Sequence, residues 1–85
     1  MRILILSLED NYFCYIFLMI IAQRIKELRT ENGLTQKCLA ERVNCNQSMI
    51  ARWENGECEP TASSIVKLAD VFRCTCDYLL GKDDY

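Results

Sequence analysis

The sequence predicts a small all-α domain, and three observations lead to this prediction. Between residues 21 and 80, apolar side chains recur three and four positions apart, which places them on one face of successive helices. Four of these segments follow a short polar residue that can cap a helix: Thr35, Asn46, Thr61 and Thr75. Three end beside a residue that tolerates the left-handed conformation of helix ends: Gly33, Asn44 and Gly81. With 85 residues, the chain has room for one domain.

The first 21 residues are the most apolar part of the chain. Sixteen of them are apolar or cysteine, so this stretch is expected to be buried. The longest uninterrupted apolar run, residues 12–22, is 11 residues long, and a membrane-spanning helix needs about 20. No small-residue cleavage site follows it. We therefore expect neither a membrane span nor a signal peptide.

Three interpretations of this N-terminal arm, residues 1–20, are open. In the first, Ile3 to Leu8 and Tyr12 to Leu18 are strands of a β-hairpin that serves as a dimerisation segment. In the second, Asp10 caps a helix that continues directly into the first helix of the domain. In the third, the domain starts at Met19, and the preceding residues contribute no domain function.

The first predicted helix of the domain runs from about Ile21 to Glu31. Its apolar stripe consists of Ile21, Ile25 and Leu28, and Gly33 supplies the left-handed residue after its end.

Two short helices and a tight turn follow, between Leu34 and Gly56. Thr35 caps the first, whose buried face is predicted to comprise Leu39, Ala40 and Val43. Asn44 makes the turn, and Asn46 caps the second helix.

The second of these helices has one apolar and one polar face. Ile50 and Trp53 share the apolar face, whereas the opposite face carries Ser48, Ala51, Arg52 and Asn55, with Gln47 at its flank. These side chains suit the edges of DNA bases better than a protein core. Two helices in this arrangement predict a helix-turn-helix unit.

Two more helices complete the predicted fold. Thr61 caps a helix with Ile65, Leu68, Ala69 and Phe72 on its buried face. Thr75 caps a short last helix that Gly81 ends.

The motifs that carry a family resemblance are Arg24-Ile25-Lys26-Glu27-Leu28-Arg29, Gly33-Leu34-Thr35-Gln36, Leu39-Ala40, Gln47-Ser48, Arg52-Trp53-Glu54-Asn55-Gly56, Pro60, Leu68-Ala69 and Asp77-Tyr78-Leu79-Leu80-Gly81. In this order and spacing, the chain resembles the Cro and phage-repressor type (xenobiotic-response-element type) of helix-turn-helix proteins. The resemblance implies a five-helix, repressor-like DNA-binding domain over residues 21–81, between the N-terminal arm and a tail at 82–85. It also implies a cytoplasmic transcriptional regulator, most often a repressor that binds an inverted-repeat operator as a homodimer.

The resemblance and the helix positions together predict the contacts with double-stranded DNA. Base-reading residues are expected near the start of the second helix of the unit: Asn46, Gln47, Ser48 and Arg52. Phosphate contacts are expected from Thr35, Gln36, Lys37, Arg24 and Asn55. In the family, Gln36 often also braces Gln47. The resemblance further implies a structural ion pair between Arg29 and Glu54.

The charge distribution agrees with this interface only in part. Residues 22–56 hold six basic and four acidic residues, whereas residues 57–85 hold three basic and six acidic ones. Family members often carry Lys or Arg after the Asn-Gly, and this chain has Glu57 and Glu59. We expect these carboxylates to repel the DNA backbone, which gives few phosphate contacts and a shallow salt dependence.

Enzyme and metal chemistry are not predicted. The chain has no histidine and no C-x-x-C pair among its six cysteines, and no Gly-rich phosphate loop. We expect reduced thiols, with Cys45 and Cys74 in small apolar sites and Cys38, Cys58 and Cys76 exposed. No cofactor is expected.

Two alternative functions are compatible with the sequence. The chain could be the antitoxin of a toxin–antitoxin pair, with residues 1–20 covering the partner protein. It could also be a protein-interaction module that no longer binds DNA, which the acidic loop after Gly56 and the net charge of −2 favour slightly.

Overall fold

Five α-helices make up the fold in the computed structural model, which describes the backbone of residues 10–82 and the side chains of residues 16–82. They are α1 (Asp10–Glu31), α2 (Gln36–Arg42), α3 (Gln47–Glu54), α4 (Ala62–Phe72) and α5 (Cys76–Leu79). No strand occurs within residues 10–82. The predicted all-α, five-helix class is confirmed.

Helix α1 is twice as long as the predicted first helix. It begins at Asp10 and continues without interruption to Glu31. The strand predicted for Tyr12 to Leu18 is therefore wrong, and the continuous helix is the interpretation that the structure supports. Because a helix elongates at little cost once it is nucleated, the segment before Ile21 extends the helix that the domain already contains. The other predicted strand, Ile3 to Leu8, lies outside the described residues.

The four helices after α1 begin at the predicted caps. The side-chain oxygens of Thr35, Asn46, Thr61 and Thr75 each accept a hydrogen bond from the backbone N–H three residues later, at 3.0–3.2 Å. All four caps are extended, which directs the oxygen at the otherwise unpaired N–H groups of the first turn.

All five helices are followed by the same kind of turn, in which a residue with positive φ lies one or two positions after the last helical residue. These residues are Gly33, Asn44, Gly56, Arg73 and Gly81. After each, the next N–H group donates back to the carbonyl five residues earlier, as in the bond from Glu57 to Arg52 (2.9 Å). This is the Schellman arrangement, which pairs carbonyls that the helix leaves unsatisfied.

Arg73 is the least favourable of these end residues, because an L-residue with a Cβ atom is strained at φ 58°. We expect Arg73→Gly to raise the free energy of unfolding by about 0.5–1 kcal/mol, after allowance for the greater entropy of unfolded glycine. Thermal unfolding followed by circular dichroism measures this as an increase of about 3 °C in Tm. Arg73→Ala, which keeps the strain, is the control, and an equal gain in both variants would contradict this explanation.

The core joins one face of every helix. Its buried members are Ile21, Ile25, Leu39, Ala40, Val43, Ile50, Trp53, Ile65, Leu68, Phe72 and Leu79. They include most of the apolar positions predicted for α1 to α4. Leu28 is only partly buried against this core, and Ala69 is buried outside the cluster. Helix α3 packs against both α1 and α2, so its orientation is fixed from two sides.

The N-terminal half of α1 contacts two of the helix-ending turns. The Met19 sulfur lies 3.3 Å from the position that a Cβ atom would take at Gly56, and Ile20 Cγ2 lies 2.5 Å from the corresponding position at Gly81. Met19 and Ile16 are also 45% and 40% exposed. No helix in the described part of the chain is long and apolar enough to cross a membrane.

Candidate nucleic-acid interface

Helix α3 separates an inner apolar face from an outer polar face. Ile50 is fully buried and Trp53 is 4% exposed, and both belong to the core. Gln47, Ser48 and Arg52 are exposed. The sequence therefore folds α3 with a polar surface that other molecules can reach, on a support that two other helices hold in place.

The first turn of α3 uses the side chains of Asn46 and Ser48 for its own structure. Asn46 Oδ1 accepts hydrogen bonds from the backbone N–H of Met49 (3.1 Å) and from the Ser48 hydroxyl (2.9 Å). The Asn46 amide nitrogen remains available as a donor, and the Ser48 oxygen as an acceptor. Asn46 is predicted from the sequence both to cap α3 and to read bases, and this geometry limits the second role to donation by the amide nitrogen.

Gln47 and Arg52 are outward groups of α3 with hydrogen-bonding capacity left. The Gln47 side chain makes no hydrogen bond within the described part of the chain. The Arg52 Nε atom lies 3.7 Å from Glu57 Oε1, and the two side chains are 55% and 56% exposed. Gln47 offers an amide that matches an adenine edge, and Arg52 offers terminal nitrogens that match a guanine edge.

Helix α2 begins beside this surface. Thr35 and Lys37 are exposed, and the Thr35 oxygen is occupied by its capping bond from Cys38. Gln36 points elsewhere, because its amide nitrogen donates to Glu54 Oε1 at 3.0 Å. The brace to Gln47 that the resemblance implied is therefore replaced by a bond to Glu54.

A part-buried cluster connects α1, α2 and α3 beneath the outer face. The Arg29 guanidinium donates to both carboxylate oxygens of Glu54, from Nε and, at 3.1 Å, from Nη2. Its Nη1 atom donates to the Leu34 carbonyl at 2.9 Å. The side chains of Arg29 and Glu54 are 13% and 3% exposed. With Gln36, this cluster joins the last turn of α1, the start of α2 and the last residue of α3.

Arg24 and Asn55 are the two remaining residues predicted to bind phosphate. The Arg24 guanidinium lies 4.1 Å from the centre of the Tyr78 ring on α5, where a cation and an aromatic face attract each other. Asn55 is exposed at the C-terminal end of α3, where its N–H donates to the Ala51 carbonyl at 2.9 Å. The structure thus leaves Thr35, Lys37, Gln47 and Arg52 exposed on the helix-turn-helix unit and places Arg24 outside this unit, against Tyr78 of α5.

The cysteines within residues 16–82 are free thiols. Cys38 is exposed, whereas the predictions for Cys58 and Cys76 are wrong, because both are half-buried against the core. Burial raises the pKa of the Cys45 thiol, and Lys67 opposes this change. Burial also raises the pKa of Cys74, with a further contribution from Cys76. Raised pKa values make both thiols poor nucleophiles at neutral pH.

The supported α3, the tight turn at Asn44 and the capped α2 define a helix-turn-helix protein. The family model for "Helix-turn-helix" (HTH_3) matches residues 25–79, and the chain belongs to this family of phage-repressor-like regulators. The resemblance seen in the sequence is confirmed.

Named relatives and solved structures extend this result. The chain is 35% identical over 66 residues to the HTH-type transcriptional regulator ImmR of Bacillus subtilis, covering 78% of this chain and 52% of the relative. The P22 c2 repressor, solved with a synthetic operator, is 30% identical with a TM-score of 0.71, covering 74% of this chain and 96% of the repressor. The restriction-modification controller protein C.AhdI of Aeromonas hydrophila is 32% identical with a TM-score of 0.71, covering 76% and 98%.

The relatives and the solved structures differ in how much of their own length this chain matches. The chain spans about half the length of ImmR and of the Escherichia coli regulator DicA, which it matches at 30% identity over 47% of that protein. The matches to the two solved structures, in contrast, cover nearly the whole of those chains.

Proposed function

We propose that this protein is a sequence-specific DNA-binding transcriptional regulator, a repressor that acts in the cytoplasm by occluding a promoter. The observation that carries the proposal is the outer face of α3, where Gln47 and Arg52 are exposed while Ile50 and Trp53 hold the helix in the core. A helix held in this way can enter the major groove, where amide and guanidinium groups distinguish base pairs. The solved complex of the P22 c2 repressor with an operator supports the same role for this fold.

We propose further that the protein binds as a homodimer to an inverted repeat. One α3 helix offers few base contacts, and Glu57 and Glu59 weaken the attraction of each monomer to phosphates. Two copies would read half-sites about 34 Å apart, roughly one turn of DNA. Such a dimer would form through the exposed side chains of Ile16 and Met19 on α1, or through Tyr78 on α5.

The test of DNA reading is selection from a pool of randomised duplexes at two salt concentrations, followed by sequencing of the retained DNA. Enrichment of an inverted repeat would support a dimeric regulator and would give its operator. No enrichment at either salt concentration would contradict the proposed function. The partner-protein alternatives, through residues 1–20, would then become the leading ones.

A variant test assigns the reading to α3. We expect Gln47→Ala combined with Arg52→Ala to weaken operator binding at least tenfold, because each base contact contributes about 1–3 kcal/mol. Lys82→Ala, which removes a positive charge beyond α5, is the control and should retain nearly full affinity. Circular dichroism must show that the double variant is folded. A folded double variant that keeps full affinity would exclude α3 as the reading helix.

A further inference from the structure

Glu57 stands directly after the glycine that ends α3, and its position is set by the backbone. Gly56, with φ 75°, reverses the chain, and the N–H groups of Gly56 and Glu57 donate to the carbonyls of Trp53 (3.2 Å) and Arg52 (2.9 Å). This Schellman arrangement makes residues 52 and 57 neighbours irrespective of their side chains. Their opposite charges therefore face each other because of how the helix ends.

The side-chain geometry leaves one edge of the Arg52 guanidinium open. Glu57 Oε1 approaches from the Nε side, at 3.7 Å. The terminal nitrogens, Nη1 and Nη2, contact no other charged or hydrogen-bonding group among the described residues. A guanidinium whose Nε side faces a carboxylate still presents two parallel N–H donors at its tip, and this pair matches the O6 and N7 acceptors of guanine.

We infer that Glu57 is a positioning residue for Arg52, which restricts its guanidinium to end-on, two-bond contact with a guanine in the DNA. This inference rests on the proposed function and adds a specificity determinant to it. Glu57 has two opposing effects on binding. It lowers affinity for every sequence through repulsion of phosphates, and it raises the preference for one base pair through Arg52.

Charge alone does not account for this role, and Glu59 provides the comparison. Glu59 is an exposed carboxylate two residues later in the same loop, and it forms no ion pair within the described part of the chain. Replacing either glutamate by glutamine removes one negative charge near the DNA. Only the replacement of Glu57 also removes the anion beside Arg52.

The experiment compares wild type, Glu57→Gln, Glu59→Gln, Arg52→Ala and the double variant Glu57→Gln with Arg52→Ala. Each is titrated with the operator from the pool selection and with duplexes that carry every single base-pair change. We expect both glutamine variants to bind all duplexes more tightly. Of the two glutamine variants, only Glu57→Gln should lower the discrimination at one base pair. The expected loss is about threefold, because an exposed ion pair has an effect of this size. Arg52→Ala should lower the discrimination at the same base pair. The double variant should discriminate there no less than Arg52→Ala alone, because Glu57 acts through Arg52.

Three results would overturn the inference. The first is full discrimination in folded Glu57→Gln, and the second is an equal loss in Glu59→Gln. The third is an Arg52→Ala variant that weakens all duplexes equally, which would assign Arg52 to phosphate. In each case the operator still binds, so the proposed function stands. A wild-type protein that enriches no sequence would overturn the inference and the proposed function together.

Discussion

Replacing Glu54 by alanine should lower the free energy of unfolding by about 3–5 kcal/mol. The Glu54 side chain is 3% exposed and accepts hydrogen bonds from Arg29 and from Gln36. Its removal leaves the Arg29 guanidinium, itself 13% exposed, without a counter-charge in a site with little water. Small domains are stable by only about 5–15 kcal/mol, so this one substitution removes a large share of the total.

Urea unfolding followed by circular dichroism measures the effect. If the alanine variant does not fold, Glu54→Gln provides the measurement. It keeps one carbonyl acceptor, so its free energy of unfolding should be only about 2 kcal/mol lower than that of the wild type. The control is the apolar pair Arg29→Met with Glu54→Leu, which leaves no unpaired charge and should be more stable than Glu54→Ala or Arg29→Ala alone. The Leu34 carbonyl and Gln36 each lose a partner, so recovery should be incomplete. Losses below 1 kcal/mol in both single variants would show that the pair behaves as a surface ion pair.

The sequence was most informative at positions where a residue type has one strong local preference, such as capping a helix or adopting positive φ. Threonine and asparagine before an apolar segment gave all four caps, because few other side chains can accept a hydrogen bond from the first turn. Glycine and asparagine gave three of the five helix ends. Arg73 was missed as the end of α4, since arginine carries no preference for positive φ.

The N-terminal arm could not be assigned from the sequence. A run of Ile, Phe and Tyr has the composition of a strand, and a short, uniformly apolar run has no period that distinguishes a strand from a buried helix. The contacts that hold the end of this segment are tertiary: Met19 lies at Gly56 and Ile20 at Gly81. These turns are 37 and 61 residues away in sequence, so no local pattern could reveal the contacts.

The residues of the candidate site were predicted from the sequence. The bonds that each side chain makes could be assigned only from the structure. Gln36 and Asn46 were predicted to touch DNA because of their positions at helix starts. In the fold, Gln36 is bonded to Glu54, and the Asn46 oxygen caps α3. The proximity of Glu57 to Arg52 depends on the left-handed turn at Gly56, which was not predicted from the sequence.

Gly81→Ala should destabilise the domain by about 3 kcal/mol, and Gly33→Ala by only about 1 kcal/mol. Both glycines have positive φ, 84° and 69°, so both substitutions carry the conformational cost of a left-handed L-residue. A Cβ atom at Gly33 meets nothing within 4 Å. At Gly81 it would lie 2.5 Å from Ile20 Cγ2, a methyl group fixed directly to Cβ, which must move at a further cost of about 2 kcal/mol.

The difference between the two variants therefore measures the packing of α1 on the turn after α5. Thermal unfolding measures the loss of stability in each variant. In the Ile20→Ala background, Gly81→Ala should cost less, because the close contact with Ile20 Cγ2 is absent. Equal losses in the two glycine variants would mean that Ile20 does not lie at this turn.

Gly56→Ala should fall between them, because its Cβ would meet only the Met19 sulfur, at 3.3 Å, and a methionine side chain can adjust at little cost. The order Gly33, Gly56, Gly81 thus follows how strongly α1 resists the added Cβ atom: no side chain is near Gly33, a flexible methionine is at Gly56, and a stiff isoleucine is at Gly81. Both α1 residues precede residue 25, where the family match begins. If this order is found, the segment that precedes the family match is part of the folded domain, and its contact at Gly56 lies directly beside the end of α3.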